Sequence, residues 1–438
     1  MLKKAYQFLD DRLDLKPVLS VLLDEGIPGG ASWVYVFGSA TLFIFLNQMI
    51  TGIFLALYYV PTPDHAYASV TYIDTHLVLG HFVHGLHHWG ASAMVVAIGL
   101  HMLQVYLYGA YKPPRDVMWH VGIFLFMITM VFAFTGYLLP WDQKAYWATK
   151  VGINMTGTVP IIGDYLAKIM RGGPDQGALT LSRFFAIHVM ILPWSIVALI
   201  ALHLFVLRRV GPAGPCEEWR SKEISEPFWP RQVYMDAVVA LIIFGILAAL
   251  AATVDFPLAP EADPSDSSFV PVPEWYFLFY YELLKHMHGP VLEAATTVIL
   301  PVVFFGTLFA LPYLGKREER CPTRRPVAVS IGVFFLIGVF ALIAVSVRSM
   351  RSVAMTDPAA LAGKKLYGQL QCAGCHRIHG DGTSVGPDLS LEGKKRDADW
   401  LIRHFKDPAG VVPGSIMPRF DLSDEDLKNL TAYMLSLK

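Results

Sequence analysis

The chain has 438 residues, of which 54% are hydrophobic and 16% charged, and its mean hydropathy is +0.45. This is too apolar for a soluble globule of ordinary composition, and a net charge of -1 excludes the strongly basic surface of a nucleic-acid binder. Residues 1–32 open with MLKKAYQFLDDRLDLK, which lacks the apolar core of a signal peptide; they read as an amphipathic surface segment kept in the mature chain. Seven uncharged stretches of membrane-crossing length follow: Trp33 to Tyr59, Leu77 to Tyr108, Val117 to Leu139, Phe184 to Leu207, Ala237 to Val254, Ala294 to Leu314, and Val327 to Val347. With the N-terminus cytoplasmic, the inner segments carry 16 Lys and Arg and the outer loops 6, which sets the orientation. Everything after Arg348 then falls on the outer, periplasmic side of a bacterial cell membrane.

Ionisable side chains at membrane depth are costly and mark function. The second span holds His87 and His101, 14 residues apart, and the fourth holds His188 and His203, 15 apart. At about 100° per residue these spacings return to within about 40° and 60° of the starting face, and they separate each pair by about 21 to 23 Å along the axis. Two same-face pairs on two spans predict two stacked haem b groups, an outer one on His87 and His188 and an inner one on His101 and His203. The competing reading, satisfied polar residues between helices, suits a single histidine better than two matched pairs. His81, His84 and His88 fall on other faces. Gly38 and Gly52 on the first span, and Gly122 and Gly136 on the third, repeat the spacing of 14, as a macrocycle edge passing close to each helix requires.

The tail from about Ala359 has soluble composition and contains Cys372-Ala373-Gly374-Cys375-His376. Cys-x-x-Cys-His reads as the attachment site of one covalent haem c, with His376 as an axial ligand. A zinc site would need further nearby ligands, and Cys216 and Cys321 lie in loops on the other side of the membrane. A redox dithiol would want a βαβ pattern that the tail lacks. Met417, in Ile416-Met417-Pro418, is the favoured second axial ligand, and Met434 suits packing in a final helix from Ser423 to Leu437.

The histidine pairs stand with Gly90-Ala91-Ser92, Thr135-Gly136-Tyr137-Leu138-Leu139-Pro140-Trp141, Ser182-Arg183-Phe184-Phe185 and Pro273-Glu274-Trp275-Tyr276. On these motifs residues 1 to about 348 resemble the cytochrome b subunit of quinol-oxidising cytochrome bc and bf complexes. The spacing of 15 and Trp141-Asp142-Gln143 with Tyr146-Trp147 resemble the bf side, although those proteins divide this region between two subunits. The resemblance implies quinol oxidation at an outer site lined by Tyr137, the segment Gly152 to Ile162, and Pro273, Glu274, Trp275 and Tyr276. Glu274 is the expected proton acceptor, since a partly apolar pocket raises a carboxylate's pKa toward neutrality. It also implies a Rieske iron–sulfur partner, an inner quinone site involving the N-terminal helix and Arg208, haem propionates met by Arg115 and Arg183, a homodimer, and a soluble or membrane cytochrome as downstream acceptor. No spare cysteines remain for the cluster, so the iron–sulfur protein is expected to be separate. The first span reads Trp33-Val34-Tyr35-Val36-Phe37, without the cysteine that holds an extra haem in bf proteins; a loosely held, non-covalent one near the inner site stays open. His84 and His88 stand where those proteins have basic residues.

The expected fold is therefore all-α. A seven-helix membrane bundle has a dihaem four-helix core at 33–225 and a three-helix region with the quinol motif at 226–348. A linker at 349–358 leads to a small all-α cytochrome c domain at 359–438. The expected function is quinol oxidation coupled to proton translocation in a Q cycle. The alternative is a dihaem b/c membrane anchor that relays electrons between the quinone pool and a dehydrogenase or reductase without a Rieske protein.

Overall fold

The computed structural model describes residues 2–15, 17, 24–216, 225–265, 269, 272–287, 289–315, 319–354, 358–378, 381–383 and 385–437. Part of the expected linker (355–357), and Lys16, Arg220, Lys222, Lys316 and Arg317 from the inner charge count, lie outside the described residues. Two compact units are distinguished, residues 1–262 with 272–340, and 263–271 with 341–438.

In the first unit, α1 (Leu2–Leu13) leaves Phe8, Leu9 and Leu13 exposed, as a helix lying on a surface would. A short antiparallel pair joins β1 (Gly26–Pro28) to β2 (Ser225–Pro227). Among the described residues, seven helices are long and apolar enough to cross a membrane. They are α2 (Trp33–Ala56), α4 (Gly80–Leu107), α5 (Asp116–Tyr137), α8 (Ala178–Val210), α9 (Arg231–Thr253), α11 (Leu292–Tyr313) and the Pro326–Ser349 part of α12 (Pro326–Ala354). The shorter α3 (Pro63–His76), α6 (Gln143–Gly157), α7 (Gly163–Arg171) and α10 (Leu278–Lys285) lie between them. Within hydrocarbon only a helix saturates its own backbone, which is why such uncharged runs fold this way. Leu241, Val302 and Phe334 stay 70, 66 and 72% exposed, the pattern of side chains that face lipid instead of a protein core.

Small residues allow close helix contacts in place of a hydrophobic drive. A β-carbon on Gly85 of α4 would lie 2.8 Å from the Ala251 β-carbon of α9, so that crossing requires glycine. Helices α2 and α4 pack together, as do α5 and α8, and α9 lies against both α2 and α4. Two spans contain a wide π turn, Ile187–Ile191 in α8 and Ala295–Ile299 in α11. Pro193 and Pro301 each follow two residues later. Proline has no N–H to give the preceding turn, and the widened turn accommodates its ring inside a helix that continues.

Beyond the His188 end of the bundle, Leu138, Trp141, Tyr146, Ile153, Leu181 and Phe184 form a buried cluster that fixes α6 and α7 against α8. Asp142 caps α6: its Oδ1 accepts from the Ala145 N–H at 2.7 Å and its Oδ2 from the Ala259 N–H at 2.9 Å. At the opposite end, Cys216 and Cys321 form a disulfide between positions 105 residues apart.

In the second unit, α13 (Pro358–Gln369) crosses α15 (Asp424–Ser436) closely. A β-carbon on Gly363 would collide with the Asn429 carbonyl oxygen, so this crossing tolerates no side chain. A two-residue hairpin, β3 (Arg377–Ile378) with β4 (Asp381–Gly382), and α14 (Ala398–Lys406) complete the named elements. Tyr367, Leu401, Phe405, Leu430, Tyr433 and Met434 form the core, and Met434 is 2% exposed.

Candidate functional site

Each of the four glycines faces one of the four histidines. A β-carbon on Gly38 would lie 3.6 Å from His101 Cε1, and one on Gly52 3.1 Å from His87 Cε1. On the other helix pair, Gly122 stands 3.6 Å from His203 and Gly136 2.6 Å from His188 by the same measure. The His87 and His188 rings face each other across the bundle with centroids 6.5 Å apart. That is close to the separation of about 6 Å that two imidazoles need when each puts a ring nitrogen about 2 Å from one metal ion.

Threonines fix the tautomer at this end. Thr51 gives its hydroxyl proton to the Asn47 carbonyl at 2.7 Å, so at 2.9 Å from His87 Nδ1 its oxygen accepts the ring N–H. Thr135 repeats the arrangement, donating to the Val131 carbonyl at 2.9 Å and accepting from His188 Nδ1 at 3.0 Å. Both Nε2 lone pairs are then left to bind a metal. At the other end His101 Nδ1 is buried without a hydrogen-bond partner among the described residues, and His203 lies against the Met118 backbone of α5. Facing rings, fixed tautomers and glycine-lined approaches fit histidine-held haem.

The π turn explains the unequal spacings. It inserts one residue into α8 immediately after His188, so 15 residues there advance the helix about as far round as 14 residues of regular helix. The offset of about 60° expected from an unbroken helix is thus reduced. Neither the π turn nor Thr51 and Thr135 was anticipated from the sequence; the odd spacing and Pro193 were the available signals.

Near the His87 end, the Glu274 carboxylate has a charged partner. Its Oε1 pairs with Lys144 Nζ at 2.7 Å, the side chains being 23% and 38% exposed. No local sequence pattern marks Lys144 as a partner for position 274. It also lies 5.5 Å over the Tyr137 ring, and the Tyr137 hydroxyl points to the Val272 carbonyl at 3.5 Å. Pro273 leads into Glu274, and Trp275 Nε1 donates to Ser92 Oγ at 3.2 Å, tying the segment to α4 five residues from His87. Tyr276 is buried, and burial first, then the Glu274 charge, raises its phenol above the ordinary value, so it stays a hydrogen-bond donor. Gly152 lies against the Phe134 ring, which places α6 beside α5.

The three arginines expected at propionates or quinone are all engaged. Arg115 donates to the Gly211 and Pro212 carbonyls at 3.0 and 3.1 Å. Arg183 donates to the Ile169 carbonyl, and Arg208 pairs with Glu25 at 2.9 Å. Arg320 donates to the Gly214 carbonyl at 2.6 Å, so it and the disulfide tie the segments around 211–216 and 319–325 together, while buried Arg325 donates to the Tyr111 hydroxyl at 2.7 Å and ties the second of them to the turn after α4.

In the second unit His376 Nδ1 lies 3.0 Å from the Pro387 carbonyl, which can accept its proton and leave Nε2 as a ligand. A β-carbon on Gly386 would lie 2.7 Å from that ring. Cys372 and Cys375 are not joined. Burial pushes the Cys372 thiol up to about 11, the reverse of what a reactive dithiol needs. Met417 packs against the domain core, whereas Met434 lies within it.

Residues 22–211 match the family model described as Cytochrome b/b6/petB, residues 261–361 that described as Cytochrome b(C-terminal)/b6/petD, and residues 360–438 that described as Cytochrome c. The chain is 44% identical over 223 residues to the menaquinol:cytochrome c reductase cytochrome b subunit of Geobacillus thermodenitrificans, covering 49% of this chain and 100% of that one. The same-named subunit of Bacillus subtilis is 43% identical over 223 residues, with the same coverage. Cytochrome b6 of Synechocystis sp. is 39% identical over 212 residues, 48% of this chain and 96% of the relative. A solved structure titled Hyperthermophilic respiratory Complex III superposes with a TM-score of 0.71 at 26% identity, covering 84% of this chain and 95% of that chain. These families imply haem b and haem c. The chain belongs to the cytochrome b/b6 family, as a multi-pass membrane cytochrome b that continues through its C-terminal region into a fused cytochrome c domain.

Proposed function

We propose that this chain oxidises quinol as the cytochrome b subunit of a quinol–cytochrome c-type oxidoreductase, with the His87 end on the outer side of a bacterial cell membrane. The observation that carries the reading is Glu274, paired with Lys144 at 2.7 Å and linked through Trp275 and Ser92 to the helix that bears His87. The two relatives named as menaquinol:cytochrome c reductase subunits favour menaquinol as substrate.

Glu274 takes a proton from a quinol hydroxyl, and its ion pair with Lys144 positions the carboxylate for that step. Tyr137 and Tyr276 orient the ring oxygens. Haem, when bound, would supply one-electron chemistry: His87 with His188 and His101 with His203 would hold the groups of the branch toward the inner quinone site, and Cys372, Cys375, His376 and Met417 the group of the branch that passes through the iron–sulfur partner. A separate Rieske-type protein receives the other electron. Arg208, with Glu25 and the N-terminal segment, forms the inner quinone site, and the complex is a homodimer that delivers electrons to a cytochrome acceptor.

Quinol-dependent cytochrome c reduction by the purified complex tests this. Glu274→Gln should lower turnover on the order of 100-fold. A stigmatellin-like inhibitor should block the parent, and an iron–sulfur protein should co-purify. Parental turnover in Glu274→Gln, with no iron–sulfur partner, would support the anchor reading instead.

A further inference from the structure

Where α8 ends, residues 211–216 run on as a strap at the His203 end of the bundle, and successive residues of it are held. Arg115 donates to the Gly211 and Pro212 carbonyls, and Arg320 to the Gly214 carbonyl. Pro215 packs on Gly29, where a β-carbon would collide with its ring. Cys216 closes the strap through its disulfide to Cys321. The Cys321 side has anchors of its own: buried Lys112 donates to the Glu319 carbonyl at 2.7 Å, and Arg325 to the Tyr111 hydroxyl. Gly29 follows β1, and Glu25, the residue before β1, pairs with Arg208 in the last turn of α8. Pairing of β1 with β2, and the Tyr35 hydroxyl donating to the Pro28 carbonyl at 2.8 Å, brace residues 25–29 as one piece. A continuous series of contacts thus runs from Cys321 through Cys216, Pro215 and Gly29 to Glu25 and Arg208.

We propose that the Cys216–Cys321 disulfide is a redox-operated clasp on the inner quinone site. Closed, it seats Pro215 on Gly29 and holds Glu25 toward Arg208; opened by a dithiol, it frees the end of the strap and loosens that pair. Disulfides exposed to a cytoplasm are rare, because its thiols keep them reduced, and those that do form there are mostly transient or redox-sensing. Both cysteines are half-buried, not sealed in a core. In the opening step a thiolate of the dithiol attacks one sulfur, the Cys216–Cys321 bond breaks, and a mixed disulfide forms. The second thiol of the reductant then displaces it. The chain gains two electrons and two protons as two free thiols, and the dithiol becomes a disulfide. The inference rests on the reading of this end as the inner, cytoplasmic side with Arg208 at a quinone, and the test separates the two.

With the outer site of the intact complex blocked by a stigmatellin-like inhibitor, reduction of haem b by added menaquinol through the inner site is followed by stopped flow. The parent is measured as isolated, after dithiothreitol and its removal under nitrogen, and after re-oxidation with diamide. Alkylation and peptide mapping read the state of Cys216 and Cys321 in each sample. A Cys216→Ser, Cys321→Ser double variant and Arg208→Gln are run alongside, with reduced-minus-oxidised spectra to confirm haem b. Dithiothreitol should free both thiols and slow haem b reduction on the order of tenfold, as loss of positioning does, and diamide should restore the rate. The double variant should stay slow and ignore both reagents. If it fails to assemble, the reversible change in the unmutated parent decides. A parental rate in both thiol states, beside a slow Arg208→Gln, would show a passive staple and overturn the clasp alone. Free thiols at both positions in the diamide-treated parent, or a double variant that still responds to dithiothreitol, would also overturn it. A parental rate in Arg208→Gln would overturn the inner-site reading itself.

Discussion

Among the four glycines that face histidines, the tightest approach is at Gly136, where a β-carbon would lie 2.6 Å from the His188 ring, while at Gly38 the same measure to His101 is 3.6 Å, an ordinary contact. The two positions should therefore respond differently to the same substitution. Gly136→Ala forces the His188 ring to move, at a cost of about 1–3 kcal/mol for overpacking, and should lose most of one haem b per chain. Gly38→Ala leaves the His101 ring in place and should lose less. Extractable haem b per chain, measured by pyridine haemochrome, decides the matter, and equal retention in the two would mean that the helices simply shift apart. The glycine spacing was legible in the sequence because a helical repeat of 14 is visible without coordinates. The threonines at His87 and His188 were not, because a hydroxyl that bonds its own helix carbonyl looks the same in sequence whether or not a ring nitrogen lies on its other side.

For the elements, the most informative departure from regularity is the π turn at Ile187–Ile191. Deleting Met190 should convert it to regular helix, bring the His188 to His203 spacing to 14 and leave both haem levels in register. Deleting Leu199, in the regular part of the same span, should leave the bulge in place and rotate His203 by about 100°, with loss of the inner haem. Haem content and reduced spectra of the two deletions distinguish these outcomes. Asp142 gives a second element-level expectation. Asparagine at this position has one acceptor oxygen for the two backbone N–H groups that Asp142 holds, so Asp142→Asn should cost about 1–3 kcal/mol and loosen the loop at Ala259. Burial raises the Asp142 carboxyl. The folded chain thus keeps a proton that the unfolded chain has already released, so stability falls as pH rises from the ordinary carboxylate value to the raised one. That slope should vanish in Asp142→Asn, as thermal melts across this acidic window would show.

For the whole molecule, seven spans and a soluble tail were legible because hydrophobic length and a Cys-x-x-Cys-His motif are local properties of the chain. The Cys216–Cys321 link and the Lys144–Glu274 pair were not, because they join positions 105 and 130 residues apart, and no local pattern reports such contacts. The covalent continuity of the chain has its own kinetic consequence. A haem c domain fused to the membrane part is supplied at an effective concentration set by the short stretch of chain between α12 and α13, on the order of millimolar for a short tether, however dilute the complex is. With a protease site inserted in that segment, the uncut complex should reduce its covalent haem at a rate independent of dilution. After cutting, tenfold dilution should slow the same step by about tenfold, because the encounter has become bimolecular. Stopped-flow absorbance of the haem c band before and after cleavage reads this directly. A cut complex that ignores dilution would mean that the c domain is held by contacts of its own and that the covalent tether adds nothing to the rate.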